Sequence, residues 1–315
     1  MAGNSNFDEI LTTTLNNYVP KMVDNIFSAR PLFYALTNSS TMRTVSGGAK
    51  IVVPIIYGAN STAKSYAGTE AIDVTAQTGI TAAEYDWGQY AATVTINGIE
   101  EAKNNGEAQI IDLLEGKIFQ TQESIIENMN TMFHSDGTTK ATDWNGLENI
   151  VNDSALTANA LGGIDPSVTG NTFWKSQATT TTGALTLAKL ATRYNSVSVG
   201  NDQPTIIISK ADDYESYEAL LTSNIRYTDT DMADAGFQNL MYKGAPWTFD
   251  AANVDGVIYM LNTKYLQLVR HSDTWFKPTP FVRTNTVDAV YSQILCYGQL
   301  TCSNRDRQGY LEGVT

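Results

Sequence analysis

Two β-rich stretches held apart by a long polar interval constrain this chain more than any other feature. Arg43–Tyr57 (RTVSGGAKIVVPIIY) is rich in β-branched residues, and Glu84–Asn97 (EYDWGQYAATVTIN) alternates apolar with polar side chains. The 26 residues between them, Gly58–Ala83, are mostly Ser, Thr, Ala and Gly with scattered charges. A structureless loop of that length is uncommon inside a compact domain, so the spacing predicts a long two-stranded excursion with a polar tip. About 15 residues per arm at about 3.3 Å each reach on the order of 50 Å, whereas a compact chain of this length has a radius of gyration of about 20 Å. The hairpin is expected to project from its body. An isolated hairpin is marginal in water, so neighbouring copies are expected to supply the missing contacts. The paired glycines of Ser46–Lys50 (SGGAK) read as a bend in one arm, because the phosphate-loop spacing G-x-x-x-x-G-K-S/T is missing and no helix follows.

Beyond the hairpin, Gly106–His134 carries Ile110, Ile111, Leu114, Ile118, Phe119, Ile125, Ile126, Met129, Met132 and Phe133 at helical spacing. Glu107 and Asp112 in its first turns and His134 in its last suit the helix dipole, and Asp136–Gly137 is a stop signal. The predicted helix is about 43 Å long and buries its stripe within its own subunit. Ahead of the hairpin, Phe7–Leu36 has apolar residues at three- and four-residue steps but is broken by Pro20 and Pro31. It reads as an arm that needs something to lie against.

After the short apolar piece Trp144–Val151, Asp153–Thr182 is a polar stretch. Leu185–Tyr194 reads as a helix, Pro204–Ile208 as a buried strand, Ala211–Thr222 as a helix and Asn224–Phe237 as a polar loop. Three apolar runs follow, around Leu240–Lys243, Val257–Leu261 and Tyr265–Val269, separated by turns holding Gly244, Pro246, Asn253, Gly256 and Asn262. Asp250 follows the Trp247–Phe249 run and reads as a turn carboxylate bonding nearby backbone N–H groups. Pro278 and Pro280 demote Thr274–Thr284 to an edge or connector. Val287–Ser303 is a long strand, and Gln308, Gly309 and Leu311 lead to a short tail. The pattern is α+β.

The phrases "Y-K-G-A-P" at Tyr242–Pro246, "G-V-I-Y-M-L-N" at Gly256–Asn262, "Y-L-Q-L" at Tyr265–Leu268, "G-L-E-N-I" at Gly146–Ile150 and "N-R-D-R-Q-G-Y-L" at Asn304–Leu311, in this order of parts, resemble the major capsid proteins of tailed bacteriophages. The resemblance covers nearly the whole chain. It implies the Hong Kong 97-type capsid fold: an N-terminal arm (1–40), an extended hairpin loop (41–98), a long spine helix within a peripheral domain (99–145 and 274–315), and a mixed α/β axial domain (146–273). It also implies self-assembly through pentamers and hexamers into an icosahedral head that encloses double-stranded DNA without sequence-specific binding. Portal, scaffolding and decoration proteins would be partners, and assembly in the host cytoplasm would lead to a virion location. Many relatives begin with a removable scaffolding segment; a start at Met1 favours a separate scaffolding protein. An encapsulin-like nanocompartment with the same fold is the alternative, and an α/β hydrolase-like enzyme, which would need a convergent polar pocket, is a third reading.

Charge agrees with a container. The chain has 20 basic and 33 acidic residues, a net charge of −13, which repels nucleic acid unless a local basic patch opposes it. Arg305 and Arg307 around Asp306 form the densest basic cluster, and such a trio reads as an ion pair. No run of 18 uncharged apolar residues offers a membrane span, and MAGNSNFDEILTTTLNN lacks the pattern of a signal peptide.

Catalytic chemistry finds little to work with. His134 and His271 are the two histidines, and each reads as a helix-end or loop residue without the oriented carboxylate and nucleophile that a Ser–His–Asp site needs. Cys296 and Cys302 lie six apart on one predicted strand, on one face but about 20 Å from each other, so they do not pair, and neither has a CxxC partner. Asp229, Asp231 and Asp234 (DTDMAD) are the residues a divalent ion could take, yet EF-hand spacing from Asp229 gives Ala233, Asp234 and Leu240 at the fifth, sixth and twelfth positions and fails. A solvated acidic loop is the plainer reading. Lys64, near the hairpin tip, reads as an exposed lysine, although the family resemblance implies a loop lysine joined to an asparagine of the next subunit. No cofactor is expected.

Overall fold

The computed structural model describes residues 30–37, 41–103, 113–137, 142–151, 160–221, 240–283 and 287–313. Residues 1–29 and 38–40 of the predicted arm, Glu107 and Asp112, and the loop holding Asp229, Asp231 and Asp234 lie outside the described residues. Along the chain come α1 (Pro31–Thr37), β1 (Met42–Val45), β2 (Ile51–Ile56), β3 (Ile80–Tyr85), β4 (Gly88–Asn97), α2 (Gly98–Lys103), α3 (Leu113–His134), α4 (Leu147–Ile150), β5 (Gln177–Thr180) and α5 (Leu187–Val197). They are followed by β6 (Ile206–Ser209), α6 (Ala211–Leu220), β7 (Leu240–Tyr242), β8 (Ala245–Phe249), β9 (Val257–Leu261), β10 (Leu266–His271), β11 (Lys277–Pro278), β12 (Val282–Arg283), β13 (Ala289–Cys302) and β14 (Gly309–Glu312). Two compact units result, one from Ala91–Glu127 with Phe276–Leu295, the other from Ala29–Tyr90, Asn128–Trp275 and Cys296–Thr315.

The larger unit is organised by a mixed sheet in the order β5-β14-β9-β6-β8-β7. β6 and β9 are buried at every position, as central strands covered on both faces must be. On one face, Leu190, Tyr194 and Val197 of α5 and Tyr214 and Tyr217 of α6 join Ile207, Trp247, Ile258, Met260 and Leu311 in a single apolar cluster. Tyr217 stacks on Trp247 with ring centroids 4.2 Å apart. Thr186 caps α5 by accepting a hydrogen bond from the Lys189 N–H. Between β7 and β8, Lys243 and Gly244 have φ of 49° and 88°, the two-residue turn whose twist matches a hairpin. Lys243 tolerates this conformation with its ammonium over the Tyr194 ring, 5.1 Å from the centroid, and bonded to Asn195 Oδ1 at 3.0 Å.

Two strands of this sheet were not legible as strands. Gln177–Thr180, inside the stretch read as polar and irregular, is the edge strand β5, and Gly309–Glu312, read as a tail, is β14, an interior strand parallel to β5 and antiparallel to β9. Three polar residues and an alanine carry no period-2 signal in Gln177–Thr180; their strand state comes from the ladder they join. Pro246 lies in β8 opposite Met241, rather than in the turn.

The hairpin is shorter than the sequence suggested. Arg43–Tyr57 divides at Gly47 and Gly48, whose φ values of 145° and 126° bend the chain between β1 and β2. β1 pairs in parallel with β10, from Met42↔Leu268 to Val45↔His271. Glu84–Asn97 likewise divides into β3 and β4. The β2–β3 ladder itself is six residues per arm, from Ile51↔Tyr85 to Ile56↔Ile80, about 20 Å of strand in place of the expected 50 Å.

In the smaller unit, β11 and β12 pair with the first part of β13, at Lys277↔Leu295 and Val282↔Tyr291. Both are exposed two-residue strands, the edge role that Pro278 and Pro280 impose. Gly98 opens α2 where a Cβ would stand 2.3 Å from an Asp288 carboxylate oxygen, so no larger residue fits there unmoved. Lys117 of α3 donates to the Thr95 carbonyl at 2.9 Å and pairs with Glu100.

The described helix α3 is 22 residues long. Ile125, Met129 and Phe133 are fully buried, but Ile118, Ile126 and Met132 are half-buried and Phe119 is exposed. The buried stripe is therefore narrower than the sequence pattern, and Ile118 is not a core residue of the isolated chain. Gly137 ends the helix region as expected: its φ is 66°, and a Cβ there would lie 2.2 Å from the Trp144 carbonyl oxygen.

Candidate functional site

The surface that stands out is the outer face of the β2–β3 ladder. The run IVVPII is apolar at every position, so alternation leaves apolar side chains on both faces of the strand. Ile51, Val53 and Ile55, with Ala83 and Tyr85 of β3, turn inward and are buried. Val52, Pro54 and Ile56 turn outward opposite Glu84, Ala82 and Ile80. Ile56 and Ile80 are 79% and 75% exposed. Beyond them the strands continue as neighbours, through the Tyr57 N–H to the Gly79 carbonyl at 2.9 Å and Ser61 Oγ to Gln77 Oε1 at 2.9 Å.

The root of this hairpin is rigidly held within the larger unit. Tyr85 OH donates to the Cys302 carbonyl at 2.7 Å and accepts from the Cys302 N–H at 3.2 Å. The Glu84 N–H donates to the Gly162 carbonyl at 2.9 Å. Tyr57 stacks on Phe173 with centroids 4.7 Å apart. The tip, by contrast, is local turns: Asn60 and Asp73 each accept from a threonine two residues on. The bonds from Thr75 hold the Asp73 carboxyl below its usual range. Tyr66, Ile72 and Val74 are exposed there. Lys64 pairs with Glu70 at 3.3 Å, both side chains about half exposed.

Among the described residues catalytic groups do not converge. Cys302 is fully buried, and burial pushes its thiol up to about 12, which leaves it protonated and unreactive. Cys296 and Cys302 are free and buried on β13. His271 Nδ1 accepts from the Asp273 N–H at 3.2 Å and its ring meets Trp87 edge-on at 5.7 Å. His134 is buried, 3.9 Å from Asp250, with no hydroxyl or thiol bonded to its Nε2. Asp250 does accept from the Ala252 N–H as a turn carboxylate, and additionally from Asn130. Among the described residues no group of three or more His, Cys, Asp or Glu side chains could hold a metal ion, and no helix is long and apolar enough to cross a membrane.

The basic cluster at the C-terminal end splits in two. Arg307 pairs with Asp306 at 2.8 Å as expected. Arg305 instead is 2% exposed and donates from Nε to the Ile150 carbonyl at 2.9 Å and from Nη2 to the Asn149 carbonyl at 3.2 Å, closing the end of α4. The outward apolar face of β2 was missed in the sequence, although a strand apolar on both faces was the signal for it.

No family model and no curated protein matches the sequence. Solved structures do. A chain of the cyanophage A-1(L) capsid asymmetric unit matches with a TM-score of 0.65 at 16% identity, over 96% of this chain and 97% of that one. The holo-SrpI encapsulin complex from Synechococcus elongatus matches at 0.63 and 12% identity, over 98% and 95%. Mycobacterium phage Bobi matches at 0.59 and 14%, over 98% of both chains. With a capsid chain and an encapsulin chain each matched over nearly their whole length, this protein has the Hong Kong 97-type capsid fold, α+β in class.

Proposed function

We propose that this chain is the major capsid protein of a tailed bacteriophage, a structural protein that self-assembles into the icosahedral head around double-stranded DNA. The observation that carries the reading is the nearly full-length likeness to a chain of a cyanophage capsid. The outward apolar face ending at Ile56 and Ile80 supports it, since contiguous exposed apolar surface marks an interaction site. In this reading residues 1–40 are the arm, 41–98 the extended loop, 99–145 with 274–315 the peripheral domain and 146–273 the axial domain. Pentamers and hexamers form by overlap of hairpins and arms. Portal, scaffolding and decoration proteins are the expected partners, and the head is assembled in the host cytoplasm. A net charge of −13 suits a wall that encloses DNA without gripping it, and no catalytic step is assigned to the chain.

The encapsulin match favours a second reading, a nanocompartment that holds protein cargo. Expressing the full chain, imaging the product by electron microscopy and assaying shells from native source for DNA separates the two. Closed shells filled with DNA support the phage reading; closed shells filled with protein and free of DNA support the compartment. A protein that remains monomeric over the whole concentration and salt range would defeat both.

A further inference from the structure

The last turn of α3 meets the end of β8 through polar groups shut away from solvent. Asn130, His134 and Asp250 are 0%, 2% and 1% exposed. Asn130 Nδ2 donates to both carboxylate oxygens of Asp250, at 3.0 and 3.1 Å, which fixes the orientation of the amide. His134 Nδ1 lies 2.9 Å from the Asn130 carbonyl oxygen. That oxygen can only accept, so in the neutral ring Nδ1 carries the proton and Nε2 a lone pair. Nε2 has no hydrogen-bond partner and stands 3.9 Å from Asp250 Oδ2. Two acceptors thus face each other across a buried gap with no proton between them, at a separation that must shorten before a hydrogen bond forms.

We propose that His134 and Asp250 form a buried proton-binding latch, in which acidification transfers one proton from solvent to Nε2 and converts the open contact between α3 and β8 into an imidazolium–carboxylate pair. Among the described residues Asp250 is the ionisable group that acts on the ring, and α3 itself contributes the neutral Asn130 carbonyl. Burial holds the imidazole below the usual histidine range, and the Asp250 charge and the Asn130 carbonyl oppose it. The ring is therefore neutral at pH 7. An unfolded chain takes up the proton first, so the stability this junction contributes is complete above about pH 6.5 and declines as pH falls from there towards the folded value. Acid reorganises the attachment of α3 to the sheet, because the new donor at Nε2 competes with Asn130 for the same carboxylate.

The chain has two histidines, so histidine-selective ¹⁵N labelling of the full chain yields two ring systems, and His134→Gln identifies one by its loss. The expected result is a proton on Nδ1 at pH 7.5, a titration midpoint below about 6.5, and a still lower midpoint in Asp250→Asn, where the opposing charge is gone. A neutral ring protonated on Nε2, a midpoint at or above that value, or a midpoint unmoved by Asp250→Asn overturns the latch. If Asp250→Asn does not fold, the wild-type tautomer and midpoint decide.

Discussion

Ile56 lies directly opposite Ile80 in the outermost rung of the β2–β3 ladder, and neither side chain is covered by its own chain. Covering an isoleucine is worth about 1.5–3 kcal/mol, so two at every copy are a substantial drive to association. Ile56→Ser with Ile80→Ser is expected to leave the melting temperature of the unassembled subunit within experimental error, since exposed substitutions alter stability by about 0.5 kcal/mol or less. The concentration needed for shell formation, read by light scattering, is expected to rise at least about tenfold, the equivalent of about 1.4 kcal/mol. An unchanged threshold would show that this face is not an assembly contact.

Along α3 the cost of a charge depends on position. Ile125 is 1% exposed whereas Ile118 is half-buried. Ile125→Asp leaves a buried carboxylate without a partner and is expected to cost about 3 kcal/mol or more; Ile118→Asp is expected to cost about 1 kcal/mol or less in the unassembled subunit. Urea unfolding of the two variants measures the difference, and equal losses would contradict the burial pattern.

Arg305 supplies two donors to the carbonyls that end α4. Arg305→Met keeps much of the volume but removes both, and buried acceptors deprived of a charged donor cost about 3 kcal/mol together. Arg307→Met, on the ion pair with Asp306 in which the side chains are 16% and 38% exposed, is expected to cost less, about 1 kcal/mol. Chemical denaturation of the pair tests this ranking.

Asp213, in the first turn of α6, is pushed up to about 6 from 3.8, first by burial and then by the nearby charge of Asp255, while backbone hydrogen bonds from Gly256 and Lys210 oppose the rise. The folded chain holds this proton more tightly than the unfolded chain does, so the stabilising term is complete below about pH 3.8 and is lost as pH rises to about 6. That rise is equivalent to at most about 3 kcal/mol, and the positive end of α6 lessens it. Asp213→Asn is therefore expected to gain about 1–2 kcal/mol at pH 7 and to flatten the pH dependence between 4 and 6. Thermal melts of both proteins at pH 4, 5, 6 and 7 provide the comparison.

What the sequence displayed follows from how far each signal is local. Pro204–Ile208 and Val257–Leu261 announce buried strands because their apolar runs are continuous, and Val287–Ser303 announces β13 by its length. β5 and β14 have no such pattern, since Gln177–Thr180 takes its strand state from pairing with a segment 132 residues away, as in Gly309↔Gln177. The hairpin was legible as an excursion, but its length was not: the bend at Gly47–Gly48 and the parallel pairing of β1 with β10 are decisions of the tertiary fold. The meeting of Asn130 and His134 with Asp250, 120 residues away from Asn130 in sequence, was equally out of reach. Asp250 was readable as a turn residue and only the fold adds its second partner.

The account stands most directly on a cryo-electron microscopy map of the full chain assembled as purified. It predicts a closed icosahedral shell in which the outward face carrying Val52, Ile56 and Ile80 is covered by a neighbouring copy. A shell in which that face is open to solvent, or the absence of any closed particle, would contradict it.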